Sequence, residues 1–146
     1  MAFSDDNDLV EFIDAAVEDH ARALKLLDAK PDLIARRNSL NETPLHFLVV
    51  ENYPKGVEFL CRHGAGVNTI DFSEATALLH AAALGHEEVV HVLLTHGANP
   101  NVSDNTGETP LSSAERSGNK QIVEMLIKAG AKPGHRKRSQ SGGIEL

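Results

Sequence analysis

Apolar residues recur along this chain in short helical patterns that come in pairs. Between Leu9 and Leu27 they fall every three or four positions, apart from a polar interruption at residues 18–20. This spacing predicts two short antiparallel helices in the first part of the chain. Pro31 should end the second of them, because proline cannot continue the hydrogen-bond ladder of a helix.

A longer period is superimposed on this pattern. Three stretches begin with threonine at intervals of 33 residues: TPLHFLVVENYPKGVEFLCRHGAGVN from Thr43, TALLHAAALGHEEVVHVLLTHGANPN from Thr76 and TPLSSAERSGNKQIVEMLIKAGAKP from Thr109. In each stretch the threonine is an expected N-cap, and a C-capping glycine closes the helix pair. The residues expected to face the core in the first two stretches are Leu45, Leu48, Val49, Val57, Leu60, Cys61, Val90, Leu93 and Leu94. A repeat of fixed length decides the architecture before any local propensity does.

The repeated residues resemble the ankyrin-repeat family, whose pattern is close to D-x-x-G-x-T-P-L-H-x-A-A-x-x-G-H-x-x-x-V-x-x-L-L-x-x-G-A-x-x-N. The third unit matches it at Asp71, Thr76, Leu78, Ala81, Ala82, Gly85, His86, Val90, Leu93, Leu94, Gly97, Ala98 and Asn101. The units that begin near residues 38 and 104 match at equivalent positions. The resemblance covers residues 9–133 and implies an all-α repeat solenoid of about four ankyrin repeats, each a helix-turn-helix pair, linked by β-hairpin loops.

The units divide the chain as follows: a flexible N-terminus (1–8), a degenerate N-terminal capping repeat (9–37), two full repeats (38–70 and 71–103), a C-terminal repeat (104–133) and a basic, disordered tail (134–146). Asn41 and Glu74 stand where the pattern has a hairpin glycine, which predicts distorted loops. Leu79 and Ser112 replace the histidine of the motif. One extra residue lies in the turn around Pro31, as suits a terminal cap.

The charge of the chain is divided between an acidic body and a basic tail. Residues 1–131 carry 10 Lys/Arg and 20 Asp/Glu, whereas the tail contains Arg136, Lys137 and Arg138. An acidic body disfavours nucleic acid and anionic membranes as partners. A nuclear-localisation or docking role for the tail is the alternative to a solvated end. A single cysteine, no membrane-length apolar run and no secretory signal favour a cytoplasmic protein, or a nuclear one in a eukaryote.

The candidate catalytic residues have structural explanations. His86 and His91 flank Glu-Glu-Val-Val in a stretch that resembles the H-E-x-x-H zinc motif, but the spacing is one residue too long. Residues at i and i+5 lie about 140° apart on a helix, against about 40° for i and i+4, so the two imidazoles cannot share one metal ion. Cys61 is expected to act as a small apolar residue rather than a nucleophile. We therefore expect no enzyme activity, metal or cofactor; a metal-dependent hydrolase is the alternative.

The family resemblance implies where a partner would bind. Ankyrin relatives bind other proteins through the hairpin tips and the concave face of the first helices. The equivalent residues of this chain are Arg37, Leu40, Glu42, Val50, Glu51, Ile70, Phe72, Ser73, Ala83, Leu84, Asn105, Glu108 and Arg116. A face that met only water would be polar, yet Leu40, Val50, Ile70, Phe72 and Leu84 are apolar. An apolar centre with a charged rim is typical of a protein interface, and Phe72 is the best anchor. In the alternative, Ile70 and Phe72 pack against neighbouring hairpins.

The sequence therefore predicts a non-catalytic module that binds a partner protein through its concave face and hairpin tips. A narrower alternative is an inhibitor or immunity-type protein that occludes the active site of a basic enzyme. A purely structural spacer is a third. We expect a monomer, with weak self-association through the apolar patch as the alternative. The partner's identity does not follow from the sequence.

Overall fold

The structure, a computed structural model, describes residues 6–133 and consists of paired helices in this part of the chain. The helices are α1 (Asn7–Glu18), α2 (His20–Ala29), a 3-10 helix (Pro31–Ala35), α3 (Pro44–Val50), α4 (Pro54–Arg62), α5 (Ala77–Leu84), α6 (Glu87–Thr95), α7 (Pro110–Ser117) and α8 (Lys120–Lys128). The predicted all-α repeat solenoid is confirmed. Asp6 caps α1, so residues 7 and 8, assigned to a flexible terminus on sequence grounds, belong to the first helix. The predicted tail, 134–146, lies outside the described residues.

The helices form two rows, with one helix of each pair in each row. The first helices α3, α5 and α7 pack side by side, and so do the second helices α4, α6 and α8. The core between the rows is built mainly from alanine, leucine and valine, which suits helices of seven to nine residues in close contact. Helix α1 differs, because it packs mainly on α2 and α4. This difference leaves more room between α1 and α3 than between the other first helices.

The threonines begin their helices as expected. The side chains of Thr43, Thr76 and Thr109 each accept a hydrogen bond from the backbone N–H three residues later. In the last unit Ser112 replaces the histidine of the motif as the acceptor of the N-cap hydrogen bond. Its hydroxyl oxygen accepts from the Thr109 N–H at 2.9 Å. This reciprocal pair satisfies two N–H groups that would otherwise lack a partner at the helix start.

The hairpin loops without glycine keep the shape of the loop that has it. Asn41 and Glu74 adopt positive φ angles of 61° and 65°, close to the 87° of Gly107. In all three loops the N–H of this residue donates to the carbonyl three residues earlier at 3.0 Å. The prediction of distorted loops is therefore wrong, because the hydrogen bonds of the turn hold these two side-chain-bearing residues in the left-handed region. Ile70 and Thr76 form an isolated β-bridge in the middle hairpin.

Hydrogen bonds join each hairpin to the next. The Phe72 N–H donates to the Leu40 carbonyl at 3.1 Å, and the Asn105 N–H donates to the Ser73 carbonyl at 3.0 Å. The Arg37 guanidinium also reaches the Ile70 carbonyl, at 3.0 Å. The tips are therefore held in register as one edge of the stack.

Burial departs from expectation at the second position of each Leu-Leu pair. Cys61 and Leu94 are half-buried rather than buried, whereas Leu60 and Leu93 are fully buried. Adjacent residues on a helix point about 100° apart, so only the first of each pair faces the layer between the two rows. The turn around Pro31 forms the 3-10 helix, in which Leu33 is buried against α1 and α3.

Candidate functional site

The exposed apolar side chains concentrate on the face made by the first helices and the hairpin tips, which we call the concave face. Phe72 is 77% exposed, and Leu40, Val50, Ile70 and Leu84 lie between 37% and 52%. Their predicted exposure is confirmed. The alternative in which Phe72 packs on a neighbouring hairpin does not hold, because its backbone is bonded to Leu40 while its ring is in solvent.

These five side chains form two groups rather than one patch. Leu40, Ile70 and Phe72 lie at the hairpin edge, where the first helices begin. Val50 and Leu84 are the last residues of α3 and α5. A helix of seven residues is about 10 Å long at 1.5 Å per residue, so the two groups lie at opposite edges of the face. A partner that contacts both must cross the first helices.

The charged residues of the predicted rim differ in whether their side chains are already paired within the protein. Arg116 and Glu108 pair with each other at 2.5 Å, and Glu108 also accepts from the Ser113 hydroxyl at 2.8 Å. The Glu42 carboxylate accepts from the Asn38 amide at 3.0 Å. The side chain of Glu51 makes no ion pair or hydrogen bond within residues 6–133. Glu51 is therefore the rim residue with the most freedom to meet a partner.

The remaining predicted residues lie where the repeat places them. Ala83 is exposed near the end of α5, and Asn105 is exposed at the third hairpin tip. Ser73 is half-buried, because its hydroxyl and its N–H both donate to Asp71. Ser73 therefore supports the hairpin and offers a partner little beyond its backbone.

The middle hairpin is organised around Asp71, a residue that the sequence analysis treated only as part of the motif. One carboxylate oxygen accepts from the N–H groups of Ser73 and Ala75, and the other lies 2.7 Å from His80 Nε2. Burial acts to raise the pKa of Asp71, but the hydrogen bonds from His80, Ser73 and Ala75 outweigh it, and the net pKa lies below its ordinary value. His80 thus joins the first helix of this unit to its own hairpin.

His46 occupies the structural position that the resemblance implied. It is only 1% exposed, and its Nδ1 accepts from the Thr43 N–H at 3.2 Å. Burial lowers the pKa of His46, because the imidazolium form would be held away from water; the carboxylate of Asp71 opposes this effect. His46 is therefore a neutral part of the core between the second and third units.

A cavity between α1 and α3, which the sequence analysis did not anticipate, opens at the far edge of the concave face. Its volume is about 160 Å³, and its lining residues are Ile13, Asp14, Val17, Glu18, Phe47, Leu48, Glu51 and Tyr53. One of them, Glu51, was placed on this face by the repeat position alone. The cavity itself depends on how α1 packs against α4, which no motif specifies.

A wider groove lies on the opposite face, among the second helices. It has a volume of about 430 Å³ and is lined by residues of α2, α4 and α6. The ring of Phe59 lies between two imidazoles, with centroids 4.4 Å from those of His20 and His63. No sequence motif marks this groove, because its residues belong to three different units.

The structure gives no geometry for metal or thiol chemistry in the described part of the chain. Between residues 6 and 133, no three His, Cys, Asp or Glu side chains cluster closely enough to hold a metal ion. His86 Nε2 lies 3.1 Å from the Val50 carbonyl and so joins two units. Burial raises the pKa of Cys61 to about 11, with a contribution from Glu58, so the thiol is protonated at neutral pH.

None of the helices between residues 6 and 133 combines the length and the apolar character that crossing a membrane requires.

Comparisons with known proteins agree with this architecture. A family model for three copies of the ankyrin repeat matches residues 70–137, and a model for the single ankyrin repeat matches residues 40–72. The chain is also 37% identical, over 70 residues, to the nuclear factor NF-kappa-B p105 subunit of Gallus gallus. That similarity covers 44% of this chain and only 7% of the relative, so it concerns the repeats alone. With its 33-residue period, capping threonines and paired helices, the chain belongs to the ankyrin-repeat family.

Proposed function

We propose that this protein is a non-catalytic interaction module that binds another protein through its concave face and hairpin tips. The observation that carries the proposal is the exposure of Phe72, at 77%, on a hairpin tip held in place by its neighbours. An aromatic side chain on a rigid backbone loses little conformational freedom on binding, which is why such residues often anchor interfaces.

The architecture supports this proposal. Ankyrin repeats are generally protein-protein interaction modules, and repeat solenoids present extended surfaces that are suited to such contacts. The tips of the first and third hairpins are exposed on either side of Phe72, and Leu84 and Val50 offer a second apolar group. Nucleic acid and anionic membranes are poor partners for a body with 20 Asp/Glu and 10 Lys/Arg in residues 1–131.

An affinity pull-down from the native lysate tests the proposal. Three baits are compared: the wild type, Phe72→Asp/Leu84→Asp, and Leu24→Asp/Ile127→Asp. The last pair is a matched control, since Leu24 and Ile127 are also exposed but lie on second helices. We expect one protein to be captured by the wild type and the control and lost by the concave-face variant. Equal capture by all three baits would contradict the proposal, provided that circular dichroism shows intact folds.

An inhibitor of a basic enzyme is the second candidate function. It is supported by the acidic balance of residues 1–131, which would attract a positively charged target. Co-purification of a single basic enzyme, with loss of that enzyme's activity on addition of this protein, would distinguish inhibition from scaffolding. An enzyme that stays fully active in the complex would rule inhibition out.

A further inference from the structure

The cavity between α1 and α3 has two kinds of wall. Val17 and Phe47 are half-buried and, with the exposed ring of Tyr53, provide an apolar lining. Asp14 and Glu18 come from the second half of α1. Glu51 caps the end of α3 and joins them at the cavity.

In the described part of the chain, no cation forms an ion pair with Asp14, Glu18 or Glu51. Within residues 6–133 their side chains make no ion pair or hydrogen bond. Arg22, whose positive charge is stabilised in part by Asp14, is held 2.7 Å from the Glu11 carboxylate. Three like charges around one opening repel one another and are stabilised by an opposite charge placed among them.

We propose that this cavity receives a basic side chain of the partner, arginine above lysine, an inference that rests on the proposed function. The aliphatic stem would lie along Val17, and the guanidinium would meet the carboxylates beside the aromatic rings. Arginine suits this environment because its planar group binds carboxylates through two hydrogen bonds and stacks on aromatic faces. At about 160 Å³ the cavity is smaller than the roughly 300–1,000 Å³ of small-molecule sites, and it suits one side chain.

The cavity lies next to the apolar group at the helix ends, and this position indicates which residues are neighbours in the partner. Glu51 follows Val50, which forms the apolar group at the helix ends together with Leu84. A segment lying across the helix ends would therefore place an apolar side chain near Val50 and a basic side chain in the cavity. The partner is accordingly expected to present neighbouring basic and apolar residues.

The test is a titration of the isotope-labelled full chain, followed by heteronuclear NMR. The probe is the peptide acetyl-Gly-Arg-Gly-amide, and its control is the same peptide with norleucine in place of arginine. We expect saturable shifts of the backbone amides of Val17, Phe47 and Tyr53 with the arginine peptide. The norleucine peptide should bind at least tenfold more weakly, because it offers only the apolar stem.

Two triple variants locate the effect. Asp14→Asn/Glu18→Gln/Glu51→Gln should reduce arginine binding at least tenfold. Glu74→Gln/Glu88→Gln/Glu124→Gln removes the same charge elsewhere and should leave it unchanged. Equal loss in both variants, or no difference between the two peptides on the wild type, would overturn the proposal. The titration contains no native partner, so its failure would overturn only the arginine site and not the concave-face proposal. Equal capture of all baits in the pull-down would overturn the concave-face proposal, but it would not change a positive titration with the arginine peptide.

Discussion

His80 Nε2 lies 2.7 Å from the Oδ2 atom of Asp71, and this contact fixes the middle hairpin to the helix that follows it. Hydrogen bonds to a buried charge contribute more to stability than neutral ones, roughly 1.5–3 kcal/mol. Asp71→Ala should therefore lower the free energy of unfolding by about 2 kcal/mol in urea denaturation. Asp71→Asn should cost less, since Asn38 accepts the equivalent backbone bonds in the preceding hairpin.

The matched control for this pair is Asp104→Asn. Asp104 accepts from Thr106 and Glu108 as Asp71 accepts from Ser73 and Ala75, but no histidine approaches it among the described contacts. If the His80 contact matters, Asp71→Asn should destabilise the protein more than Asp104→Asn does. If Asp71→Asn and Asp104→Asn lower the free energy of unfolding equally, the loss comes from the hydrogen bonds to the hairpin backbone and not from the His80 contact.

His46 should make stability depend on pH near neutrality. Burial lowers the pKa of His46 in the folded protein, whereas a histidine of the unfolded chain has a pKa of about 6.5. Below this pH the unfolded chain therefore binds more protons than the folded chain. The contribution of neutral, buried His46 to the free energy of unfolding is fully present above about pH 6.5. It decreases as the pH falls toward the pKa of the folded state, by up to about 1.4 kcal/mol per pH unit. In His46→Gln the free energy of unfolding should fall less steeply than in the wild type as the pH decreases below 6.5. His91→Gln, at an exposed position, should retain the wild-type slope, and an unchanged slope in His46→Gln would contradict the argument.

Glu74 is a position where glycine should improve the protein. Its φ of 65° is unfavourable for a residue with a side chain, whereas glycine adopts it without strain. Glu74→Gly should raise the free energy of unfolding by about 0.5–1 kcal/mol. Asn41→Gly should gain less, because asparagine tolerates this conformation better. Gly107→Ala is the reverse change and should destabilise; thermal unfolding of the three variants would rank them.

Gly56 allows α4 to approach α1. A side-chain carbon at this position would lie 2.9 Å from Leu48 Cδ1 and 3.2 Å from the Ala16 carbonyl oxygen. Gly56→Val should therefore cost about 1–3 kcal/mol by overpacking, even though Leu48 can shift slightly. Lys55→Val, next to it on the same helix and exposed, should change stability by no more than about 0.5 kcal/mol. Equal effects of the two variants would mean that the approach of the helices is not tight.

Much of the fold could be predicted because the same capping and core residues recur every 33 positions. The threonine caps, the break after residue 18 and the end of α2 before Pro31 follow from local chemistry. The loop shape at Asn41 and Glu74 was missed, since the pattern shows the absence of glycine but not the hydrogen bonds that hold a left-handed residue.

The candidate site was less predictable than the fold. Exposure of Phe72 and Leu84 followed from repeat position, but their separation into two groups needed the helix lengths. The pairing of Glu108 with Arg116 and the cavity beside Glu51 depend on side-chain directions and on the packing of α1 against α4. These relationships join residues from different elements, and no spacing in a single sequence encodes them.

Photo-crosslinking tests the central claim most directly, namely that the concave face is where this protein meets its partner. The photoreactive residue p-benzoylphenylalanine is placed at Phe72, and in a second sample at Leu24, in cells that naturally produce the chain. We predict one crosslinked protein from position 72 and none from position 24. Crosslinking from position 24 with none from position 72 would place the interface on the second helices and contradict the account.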